Sequence, residues 1–323
     1  MTEVISTPCS HKPPHSMCRF ALAALTMLSA AFLLSATAAA QEPRAKSADS
    51  YSGASEVALS ALTLGNFLSE GWTQPWAKRE RASGTPNMAL LRVTTNFLER
   101  EFRFDYTHTA NVKHSRFQSQ DMVNGLIAYG LDRRIMLEVF SNYQWNTPRT
   151  GAGVSGTGGG GLVRFALVDT EQNSIAYQVR VGEPNRSIGQ TQTSIQNAIA
   201  GFTDMYPLLG LYRIGLYYSV VYESLTGNHA KGARTSDIAY DVSLAKTWTP
   251  PSTPIFGNFT TFLEAFATTD LDGTTRGHTP MTLTPGVRFW FYPENSLTLG
   301  VDVPVTHPYP FGNVFRATYI LNF

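Results

Sequence analysis

Apolar and polar residues alternate from about residue 88 to the end of the chain, in segments of roughly ten residues. In the clearest segment Ile238, Tyr240, Val242 and Leu244 share one face, and Asp241 lies on the other. Such alternation predicts β-strands with one apolar and one polar face, and hence an all-β protein. Thirteen strands are predicted, near residues 88–96, 99–108, 121–130, 134–145, 160–168, 174–182, 194–203, 211–223, 236–248, 258–267, 281–292, 296–303 and 314–323.

The same alternation would suit a soluble β-sandwich, whose apolar face points inward. Two features favour a transmembrane, antiparallel up-and-down β-barrel instead. Aromatic residues such as Tyr143, Trp145 and Trp248 gather near segment ends, as at a membrane interface. Ionisable residues such as Arg103 and Glu138 recur at the middle of the polar faces, where a wet lumen would tolerate them.

The connections between the predicted strands alternate between short ones, such as Leu131–Arg133, and long ones, such as the glycine-rich stretch Thr147–Gly159. Outer-membrane barrels have short periplasmic turns and longer outer loops, and single-chain bacterial barrels contain an even number of strands. Fourteen strands are preferred, the additional one lying within Leu68–Lys78. Twelve is the alternative, if the weak segment 194–203 is not a strand.

The last predicted strand ends on an aromatic residue. Tyr319, Leu321 and Phe323 lie on its apolar face. An alternating strand that ends on a terminal Phe resembles the signal by which bacterial outer-membrane barrels are recognised for insertion. It implies the barrel-assembly machinery and outer-membrane lipid as partners, and it predicts that the chain ends in the periplasm.

The first forty residues have the pattern of a secretory signal peptide, with a basic start, an apolar run from Phe20 and small residues before Ala40. Cleavage there removes Cys9 and Cys18, the two cysteines of the chain. The alternatives are an uncleaved membrane anchor and a true start at Met17. Residues 41–67 are then a periplasmic linker, in which 56–68 are predicted to form a short helix in the periplasm or the lumen, and 68–323 form the outer-membrane barrel.

The charge balance excludes an electrostatic case for nucleic-acid binding, because 25 basic residues face 24 acidic ones and the chain is formally neutral once Glu3, Lys12 and Arg19 are removed. After residue 41 no apolar run approaches the roughly 20 residues of a transmembrane helix. A barrel crosses the membrane without such a run.

No enzymatic constellation stands out in the sequence. His114, His229, His278 and His307 fall in predicted loops and His108 at a strand edge, and no G-x-S-x-G motif is present. The run Asp270–Gly273 could bind calcium but lacks the rest of an EF-hand loop. We therefore expect no enzyme activity, no cofactor and no metal site.

A barrel of twelve or fourteen strands is wider than the roughly eight-stranded barrel that side chains alone can fill, so its lumen holds either a channel or a plug. The mixed signs of its charges favour neutral or weakly polar solutes. The residues predicted to line the lumen and to act on the solute are Arg103, Glu138, Arg164, Arg180, Arg213, Asp241, Glu264, Arg288, Asp302 and Arg316. The alternative is a structural or lipid-modifying barrel without a transport role.

Three short stretches resemble the family of outer-membrane transporters named for the meta-pathway of phenol degradation. They are the segment with Gly71, Trp72 and Trp76, the double-arginine stretch Leu131–Leu137, and the carboxy-terminal run Leu283–Val305. The resemblance covers most of the chain after residue 68. It implies passive uptake of small compounds, often apolar or aromatic, across the outer membrane.

Overall fold

From residue 100 onward, each alternating segment pairs with its neighbour in sequence, and the resulting antiparallel sheet closes on itself. The computed structural model describes residues 59–112, 117–183, 192–229, 231–292, 295–306 and 312–323. The sheet is a closed barrel of twelve strands in up-and-down order, with β1 paired to β12. The strands are β1 Arg100–Ala110, β2 Phe117–Gly130, β3 Ile135–Pro148, β4 Val154–Asp169, β5 Asn173–Glu183, β6 Gln192–Asp204, β7 Ile214–Gly227, β8 Ser236–Thr247, β9 Gly257–Asp270, β10 Met281–Tyr292, β11 Asn295–Pro304 and β12 Val314–Asn322. A four-residue helix, α1 (Tyr206–Leu209), lies between β6 and β7.

The two faces of each strand are the reverse of those of a soluble protein. On β3 the outward Val139 is 69% exposed, while the neighbouring inward Glu138 is buried. On β9 the outward Leu263 is 50% exposed, while the inward Glu264 is fully buried. Apolar side chains therefore cover the outside of the barrel and polar ones line its lumen, as a lipid-embedded barrel requires. No helix among the described residues is long and apolar enough to cross a membrane.

The carboxy-terminal strand closes the barrel. Phe104 of β1 stands opposite Tyr319 of β12, and the backbone N–H of Phe323 donates to the carbonyl of Arg100 at 3.1 Å. We call the end of the barrel that holds Phe323 the near end, and the opposite one the far end.

The preferred count of fourteen strands is wrong, and the twelve-strand alternative is correct, but for a different reason from the one expected. The weak segment 194–203 is a genuine strand, β6. The predicted strands at 68–78 and 88–96 are wrong: within 68–78 only Pro75 forms an isolated bridge, and 88–96 pairs with no strand among the described residues. The described part of the predicted helix at 56–68 forms turns around 65–69.

The alternation of short and long connections is less strict than expected. Near-end connections 131–134 and 170–172 are short, but 205–213 and 248–256 are as long as the far-end connection 228–235. The glycine-rich loop predicted from 147 to 159 shrinks to 149–153, because β3 and β4 extend their pairing as far as Asn146 and Val154.

Residues 79–98, here called the lumen segment, lie inside the barrel. The segment enters and leaves at the near end, where the Trp76 indole N–H donates to the carbonyl of Leu98 at 2.8 Å and closes its neck. A side chain at Gly130 would place its Cβ 2.2 Å from the Trp76 ring, so a glycine is required at this point of β2. The barrel wall therefore begins at Arg100, after the chain has filled its own lumen.

Candidate functional site in the lumen

Two adjacent arginines at the near end fix the part of the chain that precedes the lumen segment. The Arg134 side chain is fully buried and donates to the backbone carbonyls of Glu70, Ala166 and Asn66 at 2.8, 2.9 and 3.2 Å. Arg133 donates to the Gln74 side chain at 2.6 Å. The double-arginine turn that the sequence singled out is thus a structural anchor, since its planar donor groups match the carbonyls that converge on them.

Ion pairs and hydrogen bonds hold the first half of the lumen segment to the wall. Arg79 and Arg81 contact the two carboxylate oxygens of Asp169 at 3.2 and 3.1 Å. Ser83 donates its N–H and its hydroxyl to Asp204, at 2.9 and 2.7 Å. These contacts lie near the strand ends and tie the segment to β4 and β6.

An apolar cluster occupies one part of the lumen, and a second one lies on the inner face of β2 to β4. The lumen segment contributes four residues of the first cluster and the inner wall contributes the others: Met88, Leu90, Val93, Phe97, Phe202, Tyr217, Ala245 and Phe262. Aromatic contacts join the two sides, with 5.5 Å between the ring centres of Phe97 and Phe202. Inward-facing apolar residues on four strands therefore form a patch that the lumen segment covers.

Glu264 of β9 holds the tip of the lumen segment by its backbone. Its carboxylate accepts the N–H groups of Leu91, Arg92 and Val93 at 3.3, 3.1 and 3.0 Å. Three donors converge on one fully buried carboxylate, which compensates for its removal from water. This arrangement also explains why 88–96 is not a strand, because these amides are bonded to a side chain.

The Arg92 side chain fills a site on the wall beside Glu264. Its guanidinium carbon lies 3.5 Å from the centre of the Phe266 ring, and its Nη1 lies 3.4 Å from Asp302. Arg316 of β12 approaches the same carboxylate at 2.9 Å. The Asp241 carboxylate accepts a hydrogen bond from Ser219 at 3.2 Å. The guanidinium of Arg92 therefore lies between the face of the Phe266 ring and carboxylates of the wall.

A second charged network lies on β1 to β5. Arg103 pairs with Asp105 at 2.7 Å. Arg164 donates to the carbonyl of Phe97 at 2.7 Å, and Arg180 lies over the Phe140 ring at 3.8 Å. Strand register places Glu138 on the same inner face, opposite Leu162. This side of the wall holds the exit of the lumen segment.

Arg288 and Arg213 differ from the other predicted residues. Arg288 of β10 is buried in the lumen and donates to Ser296 at 3.0 Å, and its Nε and Nη1 have no hydrogen-bond partner among the described residues. Arg213 lies in the turn before β7, where it donates to Thr249 and Asn258 at 2.7 and 2.8 Å and braces two near-end connections.

The predicted lumen residues other than Arg213 thus lie on inward strand positions. Asp241, Glu264, Asp302 and Arg316 come together in one cluster. Arg92, which completes that cluster, was missed because its segment was assigned to the wall. The uneven spacing of the apolar residues in that segment, Met88, Leu90, Val93 and Phe97, could have shown that it is not an alternating strand.

The predicted loop features have structural contacts where they are described. Asp272 of the DLDG run accepts hydrogen bonds from the hydroxyl of Thr235, from the backbone N–H groups of Thr235 and Ser236 at 2.7 and 3.2 Å, and from the hydroxyl of Ser236, and these bonds lower its pKa. His108 contacts Asp121 at 2.7 Å on the outer face of the barrel. His114 and His307 lie outside the described residues. Within the described ranges no three His, Cys, Asp or Glu side chains form a metal-ligand group.

The face that carries the proposed insertion signal points outward. Tyr319, Leu321 and Phe323 are each more than a third exposed. Tyr319 also donates to Asn295 of the neighbouring strand at 2.7 Å. This face is therefore available to lipid.

No protein-family model matches the chain. The curated proteins also contain no match. Among solved structures, an outer-membrane channel of the COG4313 group from Pseudomonas putida F1 matches 76% of this chain and all of its own length, at 9% identity and a TM-score of 0.52. The KdgM porin and the NanC porin each match 69% of this chain and 99% of their own, at 10% identity and TM-scores of 0.43 and 0.45. At such identities the likeness concerns the fold alone, and the chain shares the barrel fold of an outer-membrane channel.

Proposed function

We propose that this chain is an outer-membrane channel for the passive uptake of small, largely apolar compounds, without chemical conversion. The near end faces the periplasm. The lumen segment closes the pathway, and a solute passes when the segment moves aside.

The apolar cluster in the lumen is the observation that carries this proposal. A barrel that served only as structure could fill its lumen with paired polar residues, and a porin for hydrophilic solutes would keep its lumen wet. Here Phe202, Tyr217 and Phe262 present apolar surface inward, where side chains of the lumen segment cover it. Movement of that segment would expose a patch suited to an apolar or aromatic solute.

The contacts of the lumen segment support a movement of its tip while its neck stays in place. Its tip contacts the wall through the three amide bonds to Glu264 and through Arg92, whereas its neck is fixed by Trp76. A solute that competes for the tip contacts could displace the tip and leave the neck in place. The family resemblance noted in the sequence agrees with an apolar aromatic solute.

Transport can be tested with the purified protein in vesicles whose outer leaflet is lipopolysaccharide, which slows the direct entry of small apolar compounds. We expect the entry of a neutral aromatic probe, phenethyl alcohol, to exceed that into protein-free vesicles, and the entry of a sugar of similar size to remain near background. A control vesicle carries the variant Asp121→Asn, which alters a carboxylate on the outer face. Equal entry of probe into vesicles with and without protein would refute the transport proposal.

A further inference from the structure

We propose that the lumen holds a binding site for an organic cation, in which Asp241, Glu264, Asp302 and Phe266 receive an ammonium or guanidinium group carried on an apolar body. The proposal rests on the proposed function and names the class of solute that displaces the lumen segment. Among the small, largely apolar solutes of the proposed function, it assigns the tightest binding to those that carry one positive charge.

A side chain of the protein itself, Arg92, now fills the proposed cation site. Arg92 places its guanidinium 3.5 Å from the centre of Phe266 and 3.4 Å from Asp302. An aromatic face with carboxylates at its edge is a known receptor for a cation, and burial strengthens the attraction because water no longer competes. Arg92 thus occupies the site as an internal ligand, on a segment that has to leave before the lumen can open.

Withdrawal of the lumen segment leaves negative charge on the wall of the barrel. Arg316 stays on the wall at 2.9 Å from Asp302 and balances one carboxylate. Asp241 and Glu264 then lose the Arg92 charge, and Glu264 also loses its three backbone donors. Asp241, Glu264 and Asp302 then share Arg316, and this excess of negative charge on the wall would stabilise an entering cation.

Several polar atoms beside the site lack partners among the described residues even with the lumen segment in place. One carboxylate oxygen of Asp241 and the hydroxyls of Ser243 and Thr282 are buried without a hydrogen-bond partner among the described residues. Strand register places Ser243 beside Glu264 and Thr282 beside Phe266, on the inner face. These groups flank the site and offer acceptors to the N–H groups of a bound cation.

The apolar cluster lies beside the carboxylates and would contact the apolar body of the ligand. Phe262 lies two positions from Glu264 on β9, and Ala245 of β8 pairs with Phe262 across the sheet. When the lumen segment withdraws Leu90 and Val93, the inner faces of these residues become accessible beside the carboxylates. A ligand with an aromatic body and one positive charge matches both the cluster and the carboxylates, whereas its anionic counterpart would face Asp241 and Glu264.

The proposal is tested by equilibrium binding of three probes of similar shape, phenethylammonium, phenethyl alcohol and phenylpropanoate, to the full-length protein. Arg92→Gln removes the internal ligand, and we expect this variant to bind the ammonium about tenfold more tightly than wild type does, since the probe no longer competes with Arg92. Arg92→Gln should bind phenethyl alcohol at least about tenfold more weakly than phenethylammonium, and phenylpropanoate more weakly than either.

Replacing the carboxylates in the same variant identifies the site. Adding Asp241→Asn and Glu264→Gln should abolish the preference for the ammonium, whereas adding Asp121→Asn should leave it unchanged. Heat-modifiable migration on gels shows that each variant is a folded barrel. Equal affinity of Arg92→Gln for ammonium and alcohol would overturn the proposal, as would a preference that survives the loss of both carboxylates.

Failure of the two proposals can be told apart. If phenethyl alcohol enters vesicles but no variant prefers the ammonium, transport stands and the cation site falls. If the ammonium binds as expected but neither probe enters vesicles, the binding site stands and transport falls.

Discussion

The backbone N–H of Arg92 donates to the Glu264 carboxylate at 3.1 Å, so that main chain rather than side chain joins these two oppositely charged residues. The Arg92 guanidinium is thereby directed past Glu264 to Phe266 and Asp302. Arg92 thus contacts two strands of the wall, β9 and β11. Both contacts depend on the position in which Glu264 holds the lumen segment.

Glu264→Gln should loosen the tip of the lumen segment, because a neutral amide accepts backbone hydrogen bonds more weakly than a carboxylate does. We expect a loss of about 1–3 kcal/mol in the free energy of unfolding, together with a higher conductance in planar bilayers. Urea titration in lipid vesicles measures the first and single-channel recording the second. A conductance no different from that of wild type would show that these amide bonds do not keep the lumen closed. Asp121→Asn serves as the control.

Arg134→Lys should release residues 59–78, the part of the chain that precedes the lumen segment. Lysine keeps the charge but cannot supply the planar set of donors that meets the carbonyls of Glu70, Ala166 and Asn66. We expect faster proteolytic cleavage between residues 59 and 78, with a barrel that keeps its heat-modifiable migration. The exposed Arg149, which donates to Val112 at 3.3 Å, provides the matched Arg→Lys control. An unchanged cleavage rate would contradict the anchoring role.

Gly130→Ala should move Trp76 out of its position at the neck, since the new Cβ would lie 2.2 Å from the indole ring. The bond from Trp76 to Leu98 would break, and tryptophan fluorescence should shift toward that of a solvated indole. Gly125→Ala on the same strand is the control, because its Cβ would meet only Phe104 at an ordinary 3.8 Å. Equal spectra for the two variants would show that the close approach has no structural effect.

The contact between the far-end loops should depend on pH through Asp272. Four hydrogen bonds from Thr235 and Ser236 hold the Asp272 pKa below its ordinary value of 3.8. A carboxyl whose folded pKa is depressed stabilises the fold above its unfolded pKa, and this contribution is lost as pH falls through the folded value.

Amide-exchange protection of Thr235 and Ser236 should therefore be constant above about pH 5 and decline below about pH 4. Asp272→Asn should lower the protection at neutral pH and remove most of this dependence. The exposed Glu171→Gln is the control. Protection that fell with acid to the same extent in Asp272→Asn would assign the effect to another group.

The wall of the barrel could be predicted from the sequence because the alternation of each strand directly reports its two environments. Glu138 and Val139, or Leu263 and Glu264, are adjacent in sequence and lie on opposite faces. The order of the strands followed from the same pattern, since neighbours in an up-and-down barrel are neighbours in the chain. The outer-membrane destination inferred from Phe323 agrees with an outward, apolar last strand.

The lumen segment could not be recognised in the same way. A segment that alternates for a few residues looks like a strand whether its amides bond to another strand or to a carboxylate, and here Glu264, more than 170 residues away, supplies the acceptor. The cluster of carboxylates around Arg92 also could not be recognised from the wall residues alone. Asp241, Glu264 and Asp302 were identified as lumen residues, but their grouping around Arg92 depends on the register of β8 to β12 and on a segment assigned elsewhere.

The central claim, that the lumen segment closes a pathway and moves to open it, can be tested by locking the segment to the wall. The Cδ1 of Leu91 would lie 2.4 Å from a Cβ at Gly300, so the two residues are in contact, and Leu91→Cys with Gly300→Cys is the pair to be joined by a disulfide. Cys9 and Cys18 are replaced by serine. In vesicles the oxidised double variant should admit phenethyl alcohol at the background rate, and reduction should restore entry, while each single variant transports in both states. Undiminished entry through the fully oxidised protein would contradict the account.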